Sequence, residues 1–214
     1  MTRGPSFCGV ILAAGESSRM GTDKALLPWP PHQGEQSGGQ TFLSAAIEAL
    51  SPYCDLVIVV AGKNEPQLTP IAYAHGASLV RNPHPEHGQF SSLQVGLQEI
   101  LNHGRDAAIV TLVDRPPPQA ETLRALCAAF GEAPSRTWAV VPEYNGKHGH
   151  PVLVNREMME AFLKAPAAAS AREIEHQNQQ HIEYVLVDDP AVAQNVDTPQ
   201  DYEALVSSPS PRLK

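Results

Sequence analysis

Val10-Ile11-Leu12-Ala13-Ala14-Gly15-Glu16-Ser17-Ser18-Arg19-Met20-Gly21-Thr22-Asp23-Lys24 decides how this chain is read. An apolar run stops at small residues, and the segment after it carries two cations, Arg19 and Lys24. This is the pattern of a strand feeding a phosphate-binding loop. Ala13, Ala14 and Gly15 have little bulk, so their backbone N–H groups can point at an anion. Ser17 and Ser18 have no paired His/Asp pattern that would make either a nucleophile, and they read as further donors to phosphate. A Walker A loop needs Gly-Lys-Ser/Thr after four residues, and a dinucleotide fingerprint needs G-x-G-x-x-G. Neither spacing is present.

A chain of 214 residues suffices for one domain with a sizeable core. We expect that domain over residues 1–206 and a frayed tail over 207–214, with no second domain. A net charge of −8 without a Lys/Arg cluster argues against a nucleic-acid partner. Cys8, Cys54 and Cys127 are odd in number, widely spaced and without a C-x-x-C pair. That pattern does not suggest a disulfide framework or a zinc site, and a reducing cytosol fits it best. The apolar run from Cys8 to Ala14 is too short for a membrane span, so no membrane is expected and the location is cytoplasmic.

Downstream, Pro28 to Gln40 is rich in Pro, Gly and Gln and reads as a mobile loop. Thr41 caps a helix over Phe42 to Leu50. Leu56 to Val60 reads as a strand buried on both faces, with Leu79-Val80 as another short strand. A helix from Ser91 to about His103 is stopped by Gly104. Ala107 to Val113 repeats the buried-strand pattern and ends at Asp114, after which Pro116-Pro117-Pro118 opens a helix carried by Leu123, Leu126 and Phe130. Trp138 to Pro142 and Pro151 to Val154 are extended runs around a hairpin-like excursion. Helices over Arg156 to Lys164 and Ala171 to Gln177, a strand over Ile182 to Val187 and a helix from Thr198-Pro199 with Tyr202 and Leu205 inward complete the chain. Alternating strands and helices imply crossover connections and a mainly parallel sheet covered by helices, with ligands beyond the C-terminal strand edge.

The opening stretch resembles the signature L-A-A-G-x-S-x-R-M-G-x-x-K of the MobA-like NTP transferases, the family of the molybdopterin cytidylyl- and guanylyltransferases. Other segments share the resemblance: Asp114-Arg115-Pro116, Asn195-Val196-Asp197-Thr198-Pro199, Asn82 with Gly88 and Ser92, and Gly149-His150-Pro151-Val152. The resemblance implies a single-domain, three-layer α/β/α Rossmann-like nucleotidyltransferase fold with a mainly parallel, mixed central sheet. It implies transfer of CMP from CTP to a phosphorylated acceptor, molybdopterin, with release of pyrophosphate and a transient contact with a molybdoenzyme. Ala14 favours CTP, because guanylyltransferases tend to carry L-A-G-G.

The resemblance also assigns residues. Leu12, Ala13, Ala14, Gly15, Ser17, Ser18, Arg19, Lys24, Asn82, Gly88 and Ser92 fall to the nucleotide, and Gly149 and His150 to the acceptor. Asp114 and Asp197 jointly hold Mg2+, a hard cation whose remaining ligands come from phosphates. Arg19, Lys24 and Asp114 are the catalytic set. Alternatives remain for several positions. Asp114 and Asp197 are also placed to cap the helices that follow them, and His150 also fits a space-filling role. His32, His84, His87 and His148 read as surface residues without metal-ligand spacing. Arg115 and the long Pro28 to Gln40 loop depart from the family pattern and leave the acceptor open. The same-class alternatives are a sugar phosphate or methylerythritol phosphate as acceptor, or GTP as donor. A nucleotide-binding chaperone that delivers cofactor without turnover is the alternative from another class.

Overall fold

The computed structural model describes residues 6–31, 39–166 and 168–207. His32, most of the expected 28–40 loop and residues 208–214 of the expected tail lie outside the described residues.

The central strand β1 (Phe7–Leu12) is buried along its whole length. Side chains alternate across a strand, and here the alternation builds two cores. Phe7 and Ile11 join a cluster on one face of the sheet, while Cys8, Val10 and Leu12 join a cluster on the other. β2 (Cys54–Ala61) and β4 (Ala107–Leu112) flank β1 in parallel, with Val10 opposite Ile58 on one side and Val110 on the other. β3 (Ser78–Arg81) extends the parallel sheet beyond β2. Past β4 the sheet turns antiparallel: β7 (Val152–Asn155) pairs with β4, and β5 (Ala139–Tyr144) pairs with β7 and with the two-residue β6 (Lys147–His148). β8 (Ile182–Leu186) runs parallel to β5.

The helices complete three layers. α1 (Phe42–Leu50), α2 (Glu65–Ala74) and α4 (Ala120–Glu132) bury Phe42, Ile47, Leu68, Leu123 and Leu126 in the first cluster. α3 (Gln89–Asn102), α5 (Arg156–Lys164) and α6 (Ala171–Gln177) bury Leu97, Ile100, Met158, Phe162 and Ile174 in the second. Tyr202 and Leu205 of α7 (Pro199–Ser207) pack against the first cluster, as their spacing predicts. Thr41 caps α1 in a reciprocal box with Ser44, and Gly104, at φ +68°, follows the end of α3. The three-layer, mainly parallel α/β fold expected from the sequence is thus the fold observed.

Two elements differ from the sequence reading. α4 starts at Ala120, with Gln119 as its cap residue, so Pro116-Pro117-Pro118 precedes the helix rather than opening it. α2 has no counterpart in the reading. Pro66 and Pro70 interrupt its pattern, and only Leu68 and Ala72 are buried. Among the described residues no helix is long and apolar enough to cross a membrane.

Candidate active site

The chain runs outward through β1, β2 and β3, then returns to place β4 on the other side of β1. That reversal is a topological switch point, where the loops beyond two adjacent parallel strands diverge and leave a crevice. A cleft of about 270 Å³ opens there. It is lined by Leu12, Ala14, Gly15, Ser17, Ser18, Arg19 and Lys24 from the β1 side, by Val113 and Asp114 after β4, by Pro85, Gly88, Gln89 and Ser92, and by Asp197.

The loop after β1 is held at several points. Asn64 donates from Nδ2 to the carbonyl of Ala13 at 2.8 Å and to Asp23 Oδ2 at 2.6 Å, while its Oδ1 accepts from Gly62 N–H. Gly62 lies so close that a Cβ there would meet the Ala14 carbonyl at 2.7 Å. Ser17, at φ +48°, accepts the Lys24 N–H on its hydroxyl, and Asp23 caps the short 3-10 turn Lys24–Leu26. Ala13 differs from expectation. Its N–H donates to the Val60 carbonyl and extends the sheet, so it does not point at an anion, and its side chain is in the core.

Asp114 and Asp197, 83 positions apart in sequence, meet across one side chain. Lys24 Nζ stands 2.7 Å from Asp197 Oδ1 and 3.7 Å from Asp114 Oδ2, and Arg19 lies 3.2 Å from the same Asp197 oxygen. The Lys24 hydrogen bond, together with the charges of Lys24 and Arg19, holds the Asp197 carboxyl below its ordinary range. Val196 N–H donates to the Asp114 carbonyl at 2.8 Å, which fastens the C-terminal segment to the end of β4.

The capping alternatives have no support in this geometry. Five residues separate Asp114 from the start of α4. At α7, Thr198 Oγ1 accepts from Asp201 N–H, and Asp201 Oδ2 accepts from the N–H groups of Asp197 and Thr198. Thr198 and Asp201 thus make the reciprocal cap, and the Asp197 side chain is left to face the cleft.

Besides Ala13, three expected site residues, Asn82, Gly149 and His150, lie off the cleft lining. Asn82 is buried, donates to the hydroxyls of Ser91 and Ser92 and accepts from His84 N–H, so it braces the wall that Ser92 and Gly88 present. Gly149 has a packing reason of its own, since a Cβ would fall 1.7 Å from the Val192 carbonyl. That carbonyl also accepts from His150 N–H and from the Arg115 guanidinium at 2.6 Å. Burial and the Arg115 charge push His150 down to about 3, so its ring is neutral. Asp114 Oδ1, Arg115 Nε and His150 Nδ1 are buried side-chain atoms without a hydrogen-bond partner.

Sequence reasoning missed Asn64, Gln89 and Pro85. The Gly62-Lys63-Asn64 step after a buried strand was a signal for the first, and Gln89 and Pro85 carried none. It also kept the histidines apart. The short turn at Pro85–His87 brings His84, Glu86 and His87 together, with ligand atoms within 4.8 Å of one another and all three residues exposed.

A switch-point cleft with a small-residue loop, two loop cations and paired carboxylates on this sheet defines a nucleotidyltransferase of Rossmann-like fold. The chain belongs to the family of the MobA-like NTP transferase domain, whose model matches residues 9–182. It is 34% identical over 132 residues to a probable molybdenum cofactor guanylyltransferase of Rhodopirellula baltica, a match covering 62% of this chain and 59% of that protein. The molybdenum cofactor cytidylyltransferase of Escherichia coli K12 is 25% identical over 90% of this chain and 92% of its own length. Among solved structures, a manganese complex of Rv0371C from Mycobacterium tuberculosis has a TM-score of 0.74 at 23% identity, covering 95% of this chain and 99% of that one.

Proposed function

We propose that the protein transfers CMP from CTP to the phosphate of molybdopterin and releases pyrophosphate, with Mg2+ held by Asp114 and Asp197. The observation that carries this reading is the convergence of Lys24 on both carboxylates inside the cleft that the Gly15 loop borders. The donor set fits the ion: two carboxylates offer hard oxygens, and Asp114 Oδ1 has no partner of its own. When bound, Mg2+ neutralises charge at the α-phosphate. Gly15 and the hydroxyls of Ser17 and Ser18 hold the outer phosphates, and Arg19 and Lys24 meet the charge that grows on the leaving pyrophosphate. The acceptor phosphate is itself the nucleophile and is already ionised near neutral pH, so no covalent intermediate and no general base are needed. His150 and Gly149 border the acceptor side. The reaction takes place in the cytoplasm, and its product passes to a molybdoenzyme.

CTP is favoured as donor because Ala14 gives the loop the L-A-A-G form. GTP is the second reading, carried by the likeness to the Rhodopirellula guanylyltransferase. Titration calorimetry with the four nucleoside triphosphates, followed by pyrophosphate release from each with molybdopterin, tests both. Preference for CTP and acceptor-dependent release support the proposal, and preference for GTP overturns the cytidylyl assignment. Binding without release from any pair would instead support a cofactor-delivery chaperone.

A further inference from the structure

Lys24 occupies the space between the two carboxylates. Its side chain is only 11% exposed, and its ammonium is within ion-pair reach of both Asp114 and Asp197. Arg19 puts a second cation on the same Asp197 oxygen. Lys24 and Arg19 match the two carboxylates, the neighbouring Arg115 and Asp201 add one charge of each sign, and a dication arriving alone meets a cluster with no net charge to attract it and an ammonium in its way. It also finds too few ligands. Among the described residues the only group of three side chains with metal-ligand spacing is His84, Glu86 and His87, so the carboxylate pair has no third protein ligand of that kind. A hard six-coordinate ion would need its other oxygens from elsewhere.

A triphosphate changes both conditions at once. Its anionic oxygens give Lys24 and Arg19 new partners, and its phosphates complete the coordination that two carboxylates only begin. The Lys24 backbone is anchored: its N–H donates to Ser17 Oγ at 3.1 Å, and its carbonyl accepts from Leu27 N–H. The flexible four-carbon stem can therefore swing the ammonium from Asp197 toward a phosphate while the loop keeps its path. We propose that Lys24 is a placeholder cation that keeps the divalent ion out of the Asp114–Asp197 pair until the triphosphate arrives, so that metal and nucleotide load together. This rests on the reading of the pair as the metal site.

The test is Mn2+ titration of the full chain without nucleotide, followed by electron paramagnetic resonance, which reads metal binding and not turnover. Lys24→Met keeps the stem and removes the charge, and it should bind Mn2+ at least about tenfold more tightly than wild type. Lys24→Gln, a second neutral variant that suits the polar side of the site, should shift the same way. A non-hydrolysable CTP analogue should tighten Mn2+ binding strongly in the wild type and much less in either variant. Wild-type Mn2+ affinity matching that of both neutral variants in the absence of nucleotide would overturn the placeholder role. Adding Asp114→Asn and Asp197→Asn to Lys24→Met separates the two readings. Loss of Mn2+ binding supports the pair as the site, and retained binding overturns the metal-pair reading together with this inference.

Discussion

The Lys24 ammonium faces two carboxylates and the His150 ring is buried beside Arg115, and each makes a prediction. The Lys24 ammonium serves a leaving group whose charge grows during the reaction, so Lys24→Ala should lower the maximal rate of pyrophosphate release about a hundredfold, ~3 kcal/mol, with a smaller change in nucleotide affinity. Steady-state rates beside calorimetric binding check this, and a raised Michaelis constant at unchanged maximal rate would contradict it. His150 is held neutral, its value pushed from 6.5 to about 3 by burial and by Arg115. The unfolded chain therefore binds a proton that the folded chain refuses, so this group's stabilising effect is full above pH 6.5 and declines as pH falls toward 3. At pH 5 the loss from this group is about 2 kcal/mol. Melting temperature against pH should slope more gently below 6.5 in His150→Asn than in wild type.

At the scale of elements, the site depends on a few backbone junctions. The turn at Gly149 packs on the Val192 carbonyl, where a Cβ has no room. Gly149→Ala should cost ~3 kcal/mol, since the obstacle is backbone that must move, and lower the melting temperature by roughly 9 °C. An unchanged melting temperature would show that the two segments separate easily. At α7, Thr198→Ala removes the hydroxyl half of the reciprocal cap and should cost about 1 kcal/mol by chemical denaturation, with a further loss of activity because that hydroxyl helps hold Asp201, whose Oδ2 accepts from Asp197 N–H.

These junctions also mark where sequence reasoning reaches its limit. β1, β2 and β4 were legible because each is a run of apolar residues covered on both faces, and the L-A-A-G loop because its spacing of small and charged residues is long. α2 was not legible, since two prolines and a short buried face leave little helical period. The late start of α4 was hidden because a proline is equally at home before a helix and in its first turn. Val192 gave no signal at all, for its contribution is a carbonyl that any residue there would offer.

The whole molecule matters because the two carboxylates belong to distant parts of the chain. The order β3-β2-β1-β4 brings Asp114 beside the β1 loop, and the Val196 to Asp114 hydrogen bond brings the C-terminal segment onto that edge. Each Asp was visible in the sequence as a candidate, whereas their proximity follows only from the sheet order. If one Mg2+ bridges both, the two substitutions must not act independently. Asp114→Asn should reduce the rate about a hundredfold, ~3 kcal/mol, without unfolding the protein, and Asp197→Asn should be milder. The most direct measurement is the rate of pyrophosphate release for the two single variants and the double, with melting temperatures as a folding control. The account predicts a double-variant loss smaller than the product of the single losses, because both act through one ion. Fully multiplicative losses, or near-wild-type activity in Asp114→Asn, would contradict it.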